Sequence, residues 1–332
     1  MKAIILEDIA NIETNPLKIS EVEIPKISEN EVLIEIYTCG ICHTDLHIVE
    51  GDIPLKKKPL ILGHQIVGKV VQKGNNVMNF NIGDRVGVPW LNSTCGKCSY
   101  CLNNKENLCD NAKFTGYDVD GGYAEYNKIN YNFTYKIPEN FTDESAAPLL
   151  CAGIIGYRAL KISDIKPNCR LGLYGFGASA HIAIQIARYW GCDVYVFSRS
   201  KKHRKLAEDL GAKWVGATNE KSPVKLDSAI SFAPAGEIVP LALQNLDKGG
   251  TLALAGIYTT PIPQFEYNLI YQERCIRSVA NSTRDDAIEF LKIAGLVPVK
   301  VEFETYDLKD ANNALKLLKD GKINGAGVLV VK

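Results

Sequence analysis

The clearest fold signal in the chain is LGLYGFGASA, Leu171 to Ala180. A short apolar run leads into Gly175 and Gly177, and a helical segment begins around Ala180, so the turn reads Gly-x-Gly-x-x-Ala. Glycines in such a turn let the backbone approach a pyrophosphate, and the helix N-terminus attracts its negative charge. The stretch therefore predicts a strand, a phosphate-binding turn and a helix. A turn that merely happens to be rich in glycine is the alternative.

Short apolar strands alternate with helical segments from about Lys161 onwards. The segments are LGLY, ASAHIAIQIARYW, DVYVF, HRKLAEDLG, SAISF, VPLALQNL, TLALA and IRSVA. Small and apolar residues recur in the first helix at steps of three and four, which gives that helix one buried face. Strands that alternate with helices predict a doubly wound parallel sheet.

The chain before this region reads as β-rich. Apolar and polar residues alternate in EVLIEIY, and IVGKVVQKG and DRVGVP are short runs rich in β-branched residues. The closing segment, DLKDANNALKLLKDGKINGAGVLVVK, returns to helix, turn and strand, and we expect it to rejoin the first domain. A chain of 332 residues can bury two cores. We therefore expect a β-rich domain over 1–150 and 282–332 and a parallel-sheet domain over 151–281.

Composition excludes several classes of partner. Lys plus Arg and Asp plus Glu both total 38, so no net field favours a nucleic acid or an anionic membrane surface. The N-terminal apolar run is only four residues long before Glu7, and we expect no segment to approach the roughly 18 apolar residues of a membrane span. A cytoplasmic location is the resulting expectation.

Four of the ten cysteines fall in CGKCSYCLNNKENLC, which is Cys-x2-Cys-x2-Cys-x7-Cys. Reduced, clustered cysteines usually bind metal. Four thiolates can surround one tetrahedral Zn²⁺ at about 2.3 Å and leave no position open for substrate. Cys95, Cys98, Cys101 and Cys109 therefore predict a structural zinc site. The alternative of four unconnected buried thiols is poor because the intervening loop is too polar to form a core.

A second concentration of metal-binding residue types is CGICHTDLH, Cys39 to His47. A catalytic zinc requires three protein ligands and an open fourth position. The stretch offers Cys39, Cys42, His43 and His47, but by itself it does not say which of them would bind. For any one of them, packing in the core or exposure at the surface is the simpler reading.

The wider context resembles the zinc-dependent medium-chain alcohol dehydrogenases in the order and separation of its motifs. The motifs are CGICHTDLHIVEGD, PLILGHQIVGKVV, the cysteine quartet, PLLCAGIIGYRAL and GFGASAHIAIQIAR. The resemblance covers essentially the whole chain. It implies a GroES-like catalytic domain, a Rossmann cofactor domain, and interconversion of alcohols with aldehydes or ketones by hydride transfer. It also implies a homodimer or homotetramer, with a small alcohol or aldehyde as substrate.

The same resemblance implies the ligands of a catalytic zinc. Cys42, His64 and Cys151 would bind the metal, and Asp45 would orient His64. With the quartet, this makes two Zn²⁺ per chain. A polyol dehydrogenase, which typically has glutamate in place of the third cysteine, is a rival that Cys151 disfavours.

The resemblance further implies a route for the proton. Thr44 would hydrogen-bond the alcohol oxygen and begin a relay through the nicotinamide ribose to His47 at the surface, while His43 would lie against the cofactor pyrophosphate. A histidine is a suitable end for such a relay at neutral pH. A catalytically silent nucleotide-binding protein is a second rival, and the intact relay residues disfavour it. A plain surface histidine is the alternative for His47.

Three further positions bear on specificity. Gln65 follows His64 where the family usually has glutamate, which removes a negative charge behind the metal. Ala326 stands at or next to a position where related enzymes commonly have an arginine for the pyrophosphate. Trp90 matches an aromatic position of the family's substrate pocket and favours short, unbranched or benzylic substrates, with ordinary core packing as the alternative.

The strand that ends in VYVF is followed by Ser198 and Arg199, where NAD-binding relatives have an acidic residue for the adenine ribose. The missing carboxylate no longer repels a 2′-phosphate, and Arg199 can bind that phosphate through two charge-assisted hydrogen bonds. We therefore expect NADP to be preferred over NAD. The alternative is that Arg199 is a solvated charge and that Ser198 binds the ribose of NAD.

Overall fold

The computed structural model describes all 332 residues, which divide into two compact units. The first unit comprises residues 1–151, 283–295 and 301–332, and the second comprises residues 152–282 and 296–300. The first boundary lies one residue beyond the one expected from the sequence, so Cys151 belongs to the first unit.

The N-terminal part of the first unit is built from short strands, as its turn-rich sequence predicts. The strands are β1 (Lys2–Leu6), β2 (Leu17–Glu21), β3 (Glu31–Ile41), β4 (Leu60–Ile61), β5 (Ile66–Lys73), β6 (Arg85–Val88), β7 (Leu91–Ser93), β8 (Lys113–Phe114), β9 (Tyr126–Asn130) and β10 (Tyr135–Lys136). The helices are α1 (His43–Glu50), α2 (Ser99–Leu102) and α3 (Asp143–Ala146). 3-10 turns cover Ile12–Thr14, Glu106–Leu108, Tyr131–Phe133 and Ala147–Leu150.

The long strand β3 organises this part. It pairs antiparallel with β5 and β9, and β5 continues through β6 to β10. The alternation in EVLIEIY places Val32, Ile34 and Ile36 fully inside the core. Since β3 ends at Ile41, the sheet delivers Cys42 directly to the first turn of α1.

The second unit contains a six-stranded parallel sheet. Its strands are β11 (Arg170–Tyr174), β12 (Asp193–Phe197), β13 (Trp214–Gly216), β14 (Leu226–Ser231), β15 (Leu246–Leu254) and β16 (Cys275–Ser278). The helices are α4 (Ala152–Ile162), α5 (Ala178–Tyr189), α6 (Lys201–Asp209) and α7 (Ile238–Asn245), and a 3-10 turn covers Tyr267–Leu269. The three-residue strand β13 is too short to show a period, and the sequence pattern does not predict it.

The strand order is β13-β12-β11-β14-β15-β16, with every pairing parallel. The order reverses between β11 and β14, and in doubly wound sheets ligands bind at the carboxyl ends of the strands at such a reversal. The glycine turn follows the carboxyl end of β11. The fold therefore places this turn at the position where doubly wound sheets bind their ligands.

The closing segment contributes α8 (Arg284–Leu296), β17 (Phe303–Asp307), the 3-10 turn Leu308–Asp310, α9 (Ala311–Lys319) and β18 (Ala326–Val330). Strand β18 pairs antiparallel with β3, with Leu329 opposite Cys39, and β17 pairs parallel with β18. The chain end thus completes the seven-stranded sheet of the first unit.

One stretch, Asp143–Ile162, is long and apolar enough to cross a membrane by length and composition, with a mean hydropathy of 1.2. Our expectation that no segment approaches such a length is wrong in this respect. Its backbone changes from α3 through a 3-10 turn to α4, with Cys151 outside any helix, and 67% of the apolar window is buried within the protein. Such burial is typical of core helices.

Candidate active site

Three potential metal ligands converge in the first unit from distant parts of the chain. Cys42 precedes α1, His64 precedes β5, and Cys151 follows the 3-10 turn Ala147–Leu150. Their ligand atoms all lie within 4.8 Å of one another, and the two sulfur atoms are 4.0 Å apart. His64 is buried, while both cysteines are partly accessible.

These distances fit a zinc ion. Two thiolates on a tetrahedral zinc, each about 2.3 Å from the metal, are about 3.8 Å apart. A disulfide would require an S–S distance of about 2.0 Å, and both cysteines are free. A set of two sulfurs and one imidazole nitrogen suits zinc and leaves a fourth position open, as a catalytic site requires.

The carboxylate of Asp45 connects two of the segments that carry these ligands. It is fully buried and accepts hydrogen bonds from the backbone N–H of Cys42 (2.8 Å), from the N–H of Gly63 (3.2 Å) and from the Tyr123 hydroxyl (3.2 Å). Its Oδ1 also lies 3.3 Å from Nδ1 of His64, a close ionic contact without the alignment of a hydrogen bond. Asp45 is thus placed to fix the ring of His64, and Tyr123 is a partner that the sequence did not indicate.

Without metal, the cluster retains protons. Burial alone would lower the pKa of His64, but the Asp45 carboxylate and the Cys42 thiolate outweigh it and raise the pKa to about 10. A hydrogen bond with Cys151, supported by His64, holds the pKa of Cys42 well below its usual range, and the same hydrogen bond raises the pKa of Cys151. A metal ion held by these three residues would displace protons from His64 and Cys151, so its affinity would rise with pH.

The predicted proton-relay residues lie along α1. Oγ1 of Thr44 is 3.6 Å from Sγ of Cys42, and Thr44 is buried. The rings of His43 and His47 lie 6.4 Å apart. Nδ1 of His47 is 2.8 Å from Oδ2 of Asp52, a partner that the sequence reasoning missed.

Trp90 lies against the metal-ligand cluster. Its ring meets the edge of the His64 ring at a centroid distance of 4.8 Å, and it stacks on Phe114 and Tyr117 at 5.1 and 5.7 Å. These contacts restrict its rotation, and Trp90 is only 8% exposed. A rigid indole beside His64 is suited to limiting the size of a bound substrate.

Gln65 and Ala326, the two positions that depart from the family pattern, are both buried. Gln65 packs over Gly40, where an added Cβ would come within 2.8 Å of the Gln65 side chain. Ala326 is the first residue of β18, and its N–H donates to the carbonyl of Glu302 at 2.9 Å. The Gln65 side chain therefore packs closely against the glycine opposite it, and the short side chain of Ala326 offers no cation.

The cysteine quartet forms a second cluster in the first unit, again with ligand atoms within 4.8 Å of one another. Sγ of Cys101 is 3.9 Å from Sγ of Cys95 and 3.5 Å from Sγ of Cys98, close to the spacing across a zinc ion. Backbone N–H groups of Lys97 and Cys98 point at Cys95 and lower the pKa of its thiol to about 6. Four such sulfurs complete a tetrahedral shell, which suits a structural role.

An ion pair fastens the quartet loop to the rest of the unit. The buried carboxylate of Glu106 accepts hydrogen bonds from Nη2 of Arg284 (2.6 Å), from its Nε (3.0 Å) and from its backbone N–H (2.8 Å). The Arg284 guanidinium also lies over the ring of Phe133. Since 178 positions separate the two ion-pair partners, local sequence reasoning could not find this contact.

The cofactor turn in the second unit has the backbone its sequence predicts. Gly175 has a φ of 81°, and an added Cβ would lie 3.1 Å from Ala233. Gly177 is the N-cap of α5, with nothing within 4 Å of the place where its Cβ would be. The turn therefore leaves room for a phosphate group, and Ala180, buried in the first turn of α5, lets that helix pack closely.

The end of β12 leads into a basic turn. Ser198 is buried, and its N–H donates to the carbonyl of Gly216. Arg199 is exposed, and Ser200 caps α6 by accepting from the N–H of His203. A cation is thus available at this strand end, and the segment Ser198–Ser200 contains no carboxylate.

Comparison with known proteins identifies the family. The alcohol dehydrogenase GroES-like domain family matches residues 28–139, and the zinc-binding dehydrogenase family matches residues 180–295. A probable alcohol dehydrogenase of Mycobacterium tuberculosis is 44% identical over 96% of this chain and 94% of its own length.

Solved structures of the same fold bind both nicotinamide cofactors. A CAD protein of Helicobacter pylori in complex with NADP(H) has a TM-score of 0.88 at 26% identity, and the match covers 99% of this chain and 97% of the other. An acetophenone reductase of Geotrichum candidum in complex with NAD has the same TM-score and coverage at 27% identity. The chain belongs to the zinc-type alcohol dehydrogenases of the medium-chain dehydrogenase/reductase family, which interconvert alcohols with aldehydes or ketones by hydride transfer with a nicotinamide cofactor.

Proposed function

We propose that Cys42, His64 and Cys151 hold a catalytic zinc, and that the cysteine quartet holds a separate structural zinc. The convergence of the three donor atoms beside an open coordination position carries this proposal. A zinc ion bound there supplies Lewis acidity toward the substrate oxygen, and the nicotinamide ring exchanges the hydride. Dependence on reduced thiols at both clusters supports a cytoplasmic location.

The protein's own residues bind the substrate and move its proton. Thr44 is placed beside Cys42 to hydrogen-bond the substrate hydroxyl and take part in its deprotonation. His47 releases the proton to water, since its side chain is 13% exposed. Trp90 limits the substrate to short, unbranched or benzylic alcohols and their carbonyl products.

Two rival functions are disfavoured by the same geometry. A polyol dehydrogenase would typically have glutamate where Cys151 supplies a sulfur. A catalytically silent nucleotide-binding protein would require neither a threonine beside the potential metal ligands nor a histidine at the helix end. Both rivals predict a different result in the substrate panel described next.

We propose NADP as the cofactor, because Arg199 is exposed and Ser198 stands where NAD-binding relatives have a carboxylate. A panel of alcohols and aldehydes should be assayed with both cofactors, and kcat/KM should be higher with NADP. Arg199→Ala should lower kcat/KM for NADP about tenfold and leave that for NAD nearly unchanged, since only the 2′-phosphate loses a partner. Ser198→Asp should favour NAD, because an added carboxylate binds the ribose and repels the phosphate.

Lys248→Ala, which removes an exposed cation elsewhere in the second unit, is the control for net charge. Equal or better use of NAD by the unmodified protein would contradict the preference for NADP. Activity confined to polyols would favour the first rival, and no turnover of any alcohol or aldehyde would favour the second.

The proposed oligomer is a dimer that forms through β16. This strand is the edge of the parallel sheet, and all four of its residues are exposed. Tyr267 and Tyr271 nearby in the chain are 69% and 60% exposed, and Ile276 on the strand is 37% exposed. Open edges with exposed apolar side chains favour pairing with a second copy.

Ile276→Asp is expected to convert the protein to a monomer in sedimentation velocity, because it places a charge in the middle of the paired edge. Val224→Asp is the matched control, since Val224 is equally exposed and lies on the same unit away from this strand. An unchanged sedimentation coefficient for Ile276→Asp, or a monomeric unmodified protein, would exclude this interface.

A further inference from the structure

We propose that Asp52 is a positioning residue for the proton relay. It holds the imidazole of His47 in the tautomer that carries its proton on Nδ1, so that Nε2 is the nitrogen that accepts a proton from the substrate side. The inference rests on the proposed alcohol dehydrogenase function and adds a residue to it. No feature of the sequence motif HTDLH indicates this role, because Asp52 lies beyond the helix.

The backbone after α1 is shaped to bring Asp52 to His47. The helix ends at Glu50, and Gly51 follows in the left-handed region with a φ of 82°. The N–H of Ile53 then donates to the carbonyl of His47 at 3.3 Å, which folds the chain back over the last helical turn. An added Cβ at Gly51 would lie 2.6 Å from Cγ2 of Ile9, so both the conformation and the space require glycine.

The contact itself determines the tautomer. Nδ1 of His47 lies 2.8 Å from Oδ2 of Asp52. An ionised carboxylate can only accept a hydrogen bond, so the proton of the neutral imidazole must be on Nδ1 and the lone pair on Nε2. When Nε2 accepts one proton, the resulting imidazolium faces the carboxylate, which stabilises its charge. The proton on Nε2 then passes to water, and the neutral Nδ1–H tautomer is restored.

Other charged groups around α1 are engaged elsewhere. On the helix itself, Glu50 pairs with Lys319 of α9 at 2.7 Å. From the packed 3-10 turn Ile12–Thr14, Glu13 pairs with Lys316 of α9 at 3.7 Å. His43, one turn before His47, is exposed, and its ring lies 6.4 Å from the ring of His47. Asp52 is the carboxylate in direct contact with the relay histidine.

A double-mutant cycle on the zinc-loaded enzyme tests this coupling. Asp52→Asn should lower kcat for alcohol oxidation about tenfold and leave KM within about twofold, and Asp52→Glu should restore most of the loss. His47→Gln combined with Asp52→Asn should be no slower than His47→Gln alone, because Asp52 acts only through His47. Asp193→Asn is the control, since Asp193 is a similarly exposed, ion-paired carboxylate, 46% against 43%.

Nitrogen-15 NMR of the histidine rings gives a readout that is independent of activity. The chain has only five histidines, so His47 can be assigned by comparison with His47→Gln. The unmodified protein should show the Nδ1–H tautomer at His47, and Asp52→Asn should show a mixture of tautomers. An Nε2–H tautomer in the unmodified protein, or multiplicative losses in the cycle, would overturn the assignment. Failure of the unmodified enzyme to oxidise any alcohol would refute the proposed function, whereas the NMR result would still decide the role of Asp52.

Discussion

Replacing Cys151 by serine is expected to lower kcat by at least about a thousandfold while the protein stays folded. A serine hydroxyl remains protonated near neutral pH and is a poor zinc ligand, so the site would lose both metal affinity and its open tetrahedral geometry. Metal analysis should show a fall from about two zinc ions per chain to about one. Thermal unfolding should change little, because the cluster joins segments that strands and helices already hold in place.

Cys169→Ser is the matched control, since Cys169 is also partly exposed but lies outside both cysteine clusters. It should retain full zinc content and activity. Full activity in Cys151→Ser, or an unmodified protein that is active with one zinc or none, would show that the assignment of the catalytic metal is wrong.

Replacing Cys98 by serine should have the opposite pattern, with a fall in the unfolding temperature of about 10 °C and a comparatively small effect on kcat per folded molecule. Zinc binding contributes of order 10 kcal/mol to the folding of small zinc peptides, and only part of this would be lost here. Within the quartet loop, Tyr100 and Leu108 are about two-fifths exposed and Leu102 is 71% exposed, so the loop has little apolar burial to replace the metal. Differential scanning calorimetry and metal analysis would measure both effects.

Ser99→Ala, one residue further along the same loop, removes a hydroxyl without removing a ligand and should leave both stability and zinc content unchanged. A Cys98→Ser protein that keeps its unfolding temperature and both zinc ions would contradict a structural role. If Cys98→Ser and Cys151→Ser lost activity and stability in the same proportion, the two sites would not have separable roles.

The architecture of the second unit is the part most fully predictable from sequence, because its signals are local. Its central strands are short apolar runs separated by helical segments, so LGLY, DVYVF and SAISF correspond to β11, β12 and β14. The strand β13 escaped prediction because three residues show no period. Sequence prediction is also limited at residues 143–162, because apolar composition alone does not distinguish a buried core segment from a membrane span.

The two clusters of potential metal ligands differ in the same way. The quartet is contained in fifteen residues, so its spacing alone predicts that four sulfurs can meet. Cys42, His64 and Cys151 are separated by tens of residues, and only the resemblance to a family selected them before the structure brought their donor atoms together. The residues alone therefore predicted only the cluster whose members lie close together in the sequence.

The sequence alone predicted the two-domain α/β class from the alternation of strands and helices along the chain, and it predicted the glycine-rich turn and the cysteine quartet from spacing within one short segment each. Three other contacts are visible only in the folded structure. Asp45 accepts hydrogen bonds from backbone groups of two segments that carry potential metal ligands and from the Tyr123 hydroxyl. Glu106 pairs with Arg284, and Asp52 contacts His47. The contacts of Asp45 with Gly63 and Tyr123 and the pair Glu106–Arg284 join distant parts of the sequence, and strand pairing and packing set them. The contact between Asp52 and His47 depends on the φ angle of Gly51. A glycine permits this angle but does not impose it.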